Sequence, residues 1–176
     1  MFNKKILNNL QIMDIEKIIP EPWQESVWDY PRPPKIENVS KRIKVIFDGI
    51  SIANTTRAKR VLETANPPVY YIPPEDVKTE LLSPAENKSF CEWKGEASYF
   101  HLNVNGKQVR YACWYYPAPV PEFSEIKNYI AFYAQKMDEC YIDDERVKPQ
   151  PGKFYGGWIT KNIVGPFKGE PGTESW

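Results

Sequence analysis

Chemistry in this chain would have to come from three thiols, one imidazole, and acidic and basic groups set among aromatic rings. Cys91 and His101 are the natural nucleophile and base. Ten residues separate them, and an extended strand would hold them about 33 Å apart, at roughly 3.3 Å per residue. Lys94-Gly95 lies between them and could bend the chain. The thiol therefore has two readings, one half of a thiol–imidazole pair or a structural cysteine. Glu63 is a further candidate base. A second constellation is cationic and aromatic. Arg57, Arg60 and Glu63 lie close in sequence, and with Lys94 they could form an anion site lined by Tyr70, Tyr71 and Trp114. In that reading Arg60 and Lys94 meet a negative group and Glu63 orients Arg60 or a ligand donor. Tyr71, Trp114 and Tyr116 stack on a flat body. The plainer alternative is a set of surface ion pairs. Asp143, Asp144 and Glu145 could hold a metal, but acidic loops without other ligands bind weakly, which favours a solvated turn. There is no Cys-x-x-Cys, and one histidine cannot complete a Cys2His2 set, so neither structural zinc nor another cofactor is expected. GxxxxGK[ST], GxGxxG and GxSxG are all absent.

The element that would position most of these residues spans 88–117. Asn105-Gly106 separates two alternating runs and suits a type I′ turn, in which both central residues need positive φ. With a two-residue loop, Val104 pairs with Lys107, Leu102 with Val109, Phe100 with Tyr111 and Ser98 with Cys113. That face reads as core. The other face sets Ala97, Tyr99, His101 and Asn103 against Trp114, Ala112, Arg110 and Gln108. Large rings standing across from alanines leave a hollow, to be filled by a loop, by another ring or by a ligand.

Lys44–Ile52 reads as a second hairpin around Asp48-Gly49, and Cys140–Val147 as a weaker third around Asp143-Asp144. Thr55–Thr64 reads as helix or irregular strand, Val69–Ile72 as a short strand, and Pro74–Lys78 as one helical turn. A short helix near 122–128 should run into a strand at Ile130–Tyr133. Ile6, Leu10, Met13 and Ile12, Ile15, Ile19 give residues 1–19 a helical spacing. Residues 1–36 form an extension that becomes a proline- and aromatic-rich arm, with Trp23, Trp28 and Tyr30 expected to lie on the domain. Residues 37–176 form a single β domain whose Gly/Pro-rich tail, from Lys148, packs as a second wrap.

The chain has 176 residues, enough for one core and an arm. Its 17 prolines and 14% aromatic content argue for short strands and turns over a helical bundle. Lys and Arg (23) balance Asp and Glu (23), so no overall charge draws the protein to nucleic acid or anionic membrane. Neither partner is expected, and no apolar run reaches transmembrane length. An odd cysteine count without a signal peptide points to a reducing, cytoplasmic setting.

Several strings together resemble a known family. They are Thr56–Thr64 (TRAKRVLET), Pro67–Pro74 (PPVYYIPP), Cys91–Tyr99 (CEWKGEASY), Trp114–Pro119 (WYYPAP) and Ile130–Tyr133 (IAFY). Over roughly 25–176 the chain is similar to the DUF427 family of uncharacterised proteins from bacteria, fungi and plants. Phe154–Thr160 and Gly165–Gly169 resemble its longer cyanobacterial form. The resemblance implies a mainly β, antiparallel β-tent, two coiled sheets meeting at an angle. Zinc-bearing relatives of that fold carry paired Cys-x-x-Cys knuckles, which this sequence lacks. A nucleotidyltransferase label sometimes attached to the family finds no matching Gly-Ser and Asp-x-Asp pattern here. Three functions follow as expectations. The leading one is binding of a small, partly anionic planar ligand. The others are an enzyme using Cys91, His101 or Glu63, and a protein-interaction module presenting the N-terminal arm.

Overall fold

The computed structural model describes residues 15–176. The helix expected over 1–19 lies mostly outside these residues, and Ile15–Ile19 carry no regular structure. The arm enters through β1 (Glu25–Ser26), and β2 (Lys35–Asn38) follows. Next come β3 (Ile43–Phe47), β4 (Ile50–Thr55), β5 (Lys59–Leu62) and β6 (Val69–Tyr71). The central meander is β7 (Leu82–Cys91), β8 (Gly95–Val104) and β9 (Lys107–Tyr115). Short strands complete the chain: β10 (Ala131–Phe132), β11 (Glu139–Ile142), β12 (Glu145–Arg146), β13 (Lys148–Pro149), β14 (Trp158–Ile159) and β15 (Ile163–Val164). The fold is mainly β. Its larger sheets, in the orders β10-β9-β8-β7, β12-β11-β3-β4 and β2-β5-β6, are antiparallel throughout. Helical structure among the described residues is limited to 3-10 segments, and the longest, Pro121–Ile126, stands where the short helix was expected. No helix there is long and apolar enough to cross a membrane.

Two hairpin tips form as their sequences require. Asp48 and Gly49 take φ values of 47° and 73°, and Asn105 and Gly106 take 50° and 77°. The tips also touch: Asp48 accepts hydrogen bonds from Asn105 Nδ2 (2.8 Å) and Lys107 Nζ (2.6 Å), tying one four-stranded sheet to the other. Between the sheets lies the main core, which includes Ile43, Val45, Ile52, Leu102, Cys113 and Phe132. The tail adds Trp158, which is fully buried and donates from Nε1 to the Phe132 carbonyl (3.0 Å). Burial of a ring that size contributes roughly 2–3 kcal/mol.

The central register departs from expectation in one place. Val104–Lys107 and Leu102–Val109 pair as expected, but Phe100 then pairs with Cys113 and Tyr99 with Trp114. A bulge at residues 110–112 causes the slip, and Tyr111 sits within it at φ +51°. Its N–H donates to His101 Nδ1 (3.0 Å), while the Arg110 and Tyr111 carbonyls accept from Lys136 Nζ (2.9 and 2.8 Å). These bonds satisfy backbone groups that the broken ladder would leave bare. The shift is by two residues, so side-chain parity survives. Ala97, Tyr99 and Trp114 still share a face, away from the main core, with Trp114 across from Tyr99 instead of Ala97.

The arm packs through Val27 and Tyr30, which meet Leu62 and Ile163, and through Trp28, whose Nε1 donates to the Pro166 carbonyl (2.9 Å). Trp23, expected to pack with them, is 62% exposed, lying ahead of the β1–β15 pairing that anchors the arm.

Candidate functional site

The second face of the central sheet borders a cavity of about 420 Å³. Trp114 is one of its lining residues. Its indole meets Tyr133 at 4.5 Å and stands edge-on to Tyr71 at 6.4 Å, with Tyr116 a further 6.4 Å from Tyr71. The tail covers another side of Trp114. A Cβ on Gly156 would lie 2.2 Å from Trp114 Cη2, so only glycine lets the chain pass so close. Gln150 holds that tail in place. Its Oε1 accepts from the Gly157 N–H (2.9 Å), and its Nε2 donates to Asn66 Oδ1 (3.0 Å) and the Lys168 carbonyl (2.8 Å).

The polar part of the wall comes from the turn joining β7 to β8. Lys94 is only 8% exposed there, with Nζ 5.8 Å from the Phe123 ring centroid and 6.0 Å from that of Tyr116. Among the described residues, no carboxylate lies within ion-pairing distance of it. Burial pulls its pKa down, but the balance lies above the ordinary lysine value, with the nearby Glu63 carboxylate favouring the charged form. Lys94 is therefore a cation at neutral pH. Burial raises the Tyr71 and Tyr116 hydroxyls, which stay neutral. Next in sequence, Trp93 lines the same cavity, and its Nε1 is buried without a hydrogen-bond partner among the described residues. Burying such a donor unpaired costs roughly 1–3 kcal/mol.

Of the expected ligand-binding residues, Glu63, Tyr71, Lys94, Trp114 and Tyr116 all line this cavity. Glu63 does not orient Arg60; it pairs with Arg32 Nε at 3.6 Å. Arg60 requires the larger correction. It lines a separate polar cavity of about 220 Å³, where it makes four hydrogen bonds of 2.7–3.2 Å to Glu25 and Glu37. Neighbouring residues of a strand point to opposite faces. On β5, Val61 packs toward Tyr71 and Trp114, so Arg60 turns the other way, beside Tyr70. Arg57 is also elsewhere, bound to Asp76 at 2.8 Å.

The thiol and imidazole are not brought together. Cys91 pairs with Gly95 at the turn, and His101 lies six residues further along β8, about 20 Å at roughly 3.3 Å per residue. Cys91 lines the cavity, whereas His101 serves the bulge. Asp143 accepts from the Arg42 N–H (2.9 Å) at the turn between β11 and β12. Sequence reasoning missed Trp93, Tyr133 and the tail residues Tyr155 and Gly156. The Gly156-Gly157 pair inside an aromatic run was the available signal of a close approach.

A family model described as a domain of unknown function, DUF427, matches residues 35–143. The chain belongs to the DUF427 family. A comparison with curated proteins finds no match. The matched span contains the β5–β6 strands, the β7–β8 turn with Lys94, and Trp114. The tail that closes over Trp114 lies beyond it.

Proposed function

We propose that this DUF427 protein binds a small, planar, partly anionic molecule in the Trp114 cavity. One observation carries the reading: the Lys94 ammonium is buried among aromatic rings, and no carboxylate of the described residues lies within ion-pairing distance of it. A buried charge is costly unless something compensates it. Trp93 Nε1 offers a second unanswered donor in the same wall. Tyr71, Trp114 and Tyr116 supply an apolar enclosure for a flat body, the usual make-up of a small-molecule site.

Cys91 gives this reading a direct test. It is the cysteine that reaches the cavity, whereas Cys113 and Cys140 are buried in the core. A thiol reagent should label Cys91 first, and a bound ligand should slow that labelling. Native mass spectrometry and a metabolite-library thermal shift would supply the ligands. Trp114→Ala should abolish their stabilising effect, and Lys94→Ala should weaken anionic ligands about tenfold or more, the worth of one charged hydrogen bond. If compounds that raise the melting temperature leave the Cys91 labelling rate unchanged, they bind elsewhere and the reading fails.

A further inference from the structure

The tail that passes over Trp114 closes a small loop of its own. The Gln150 N–H donates to the Gly157 carbonyl (2.9 Å), and Gln150 Oε1 accepts from the Gly157 N–H (2.9 Å), so the two ends are joined. The start of the loop is packed. Gly152, at φ +88°, runs so close to Gly169 that a Cβ on it would lie 2.7 Å from the Gly169 carbonyl oxygen. The end is packed too, with Gly156 against the Trp114 indole. Between these anchors little holds the chain. Among the described residues, no N–H of residues 152–156 donates a hydrogen bond, and only the Tyr155 carbonyl accepts one, from Gln135 Nε2 (3.3 Å). Segments with so few internal bonds open at the smallest cost, and short loops with joined ends are frequent seats of function.

The exposed rings lie at the same place. The large apolar side chains exposed among the described residues are Ile18, Ile19 and Trp23 in the arm, and Phe90 and Phe154. Both phenylalanines border the Trp114 cavity. A large apolar group left in water is informative where it borders a cavity. Phe90 is fixed on β7, opposite Glu96 of β8. Phe154 is 65% exposed, stands on the loosely held part of the loop and meets Tyr155 edge-on at 5.2 Å.

We infer that residues 151–156 are a flap that folds the Phe154 ring over a ligand in the cavity. This rests on reading the cavity as a ligand site. The movement is confined to the few residues between the two glycine contacts, as in other lids that turn on a short hinge. A ligand beneath the ring gives it the apolar contact it lacks in the open protein. The loop lies beyond residues 35–143, so the flap is an addition to the matched family domain.

The test uses 2-naphthoate, a flat anion, on the full chain, with protection of Cys91 from a thiol reagent as the marker of site. Trypsin should cut after the exposed Lys153 in the ligand-free protein, and 2-naphthoate should slow that cut severalfold, read by mass spectrometry. Phe154→Ala should weaken 2-naphthoate about tenfold in calorimetry, the worth of burying part of one ring. The same variant should keep the wild-type urea midpoint, because the ring it removes is exposed. If Cys91 is protected but the cut after Lys153 keeps its rate, or Phe154→Ala binds as tightly as the wild type, the flap is overturned and the ligand site stands. If 2-naphthoate does not protect Cys91, the site and the flap fall together.

Discussion

Arg60 and Lys94 are both largely removed from solvent, and their surroundings are opposite. The Arg60 guanidinium is held by Glu37 through Nε and Nη2 (3.0 and 2.7 Å) and by both oxygens of Glu25 (3.1 and 3.2 Å). Glu25 also accepts from the Tyr30 hydroxyl (2.8 Å), so this network fastens the arm to β2 and β5. Lys94 has rings where Arg60 has carboxylates. Planar guanidinium suits a fixed, bidentate, structural role, and a compact ammonium on a flexible stem suits a partner that comes and goes. The difference teaches that burial of a cation alone identifies nothing. Whether its counter-charge is built in separates an element of the scaffold from a candidate site.

The largest expected effect breaks the paired side. Arg60→Met takes away the cation that Glu25 and Glu37 share at the polar cavity and leaves Glu37 only the exposed Lys35 (3.1 Å). Losing one partner of a buried pair costs roughly 3–5 kcal/mol, and the partial exposure of both glutamates reduces that to about 2–3 kcal/mol. Urea denaturation should show a lower midpoint. An unchanged midpoint would mean that the network holds nothing.

Lys94→Met is the matched change on the unpaired side, and its effect on stability should be smaller. It removes a charge that has no ion-pair partner among the described residues and keeps an apolar side chain of similar length among the rings, so the unfolding free energy should change by about 1 kcal/mol or less. Binding of anions should fall in the same protein. A loss of stability comparable to that of Arg60→Met would show that the protein itself satisfies Lys94, and the comparison would collapse.

Much of this arrangement was legible in the chain. Asp48-Gly49 and Asn105-Gly106 mark their turns because positive φ at successive positions is costly for most other residues. The face shared by Ala97, Tyr99 and Trp114 followed from alternation alone and survived because the bulge inserts an even number of residues. The bulge itself was not legible. Tyr111 is an unlikely residue for φ +51°, and what holds it there is a lysine 25 residues further on. Arg60 was misplaced because it was grouped with Lys94 by motif, whereas the strand that residues 59–62 form turns Arg60 away from the face that Val61 shares with Trp114. The tail over Trp114 depends on a contact between Gly156 and a ring more than forty residues away, which no local pattern encodes.

The smallest expected effect is a pH dependence that sharpens the same contrast. At Glu37 burial raises the carboxyl pKa, but hydrogen bonds from Arg60 and Lys35 outweigh it and hold the group below its ordinary value of 4.5. A carboxyl with a lowered folded pKa contributes stability that is present above its unfolded pKa and lost as pH falls through the folded one. The Glu37 contribution should therefore be intact at neutral pH and fade below 4.5. Lys94 has the opposite linkage. Its folded pKa is raised, so its contribution is complete below the unfolded lysine value of 10.5 and is lost only as pH rises through the folded value. Between these limits neither group should make stability depend on pH. Midpoints followed in urea from pH 7 down to about 3 should fall more shallowly in Arg60→Met than in the wild type, because Glu37 has lost one of the two donors that lowered it and keeps only Lys35, while Lys94→Met should follow the wild-type acid limb. If Arg60→Met and the wild type fall in parallel, Glu37 does not sense Arg60, and the built-in counter-charge that distinguishes the two regions is not energetically coupled to its cation.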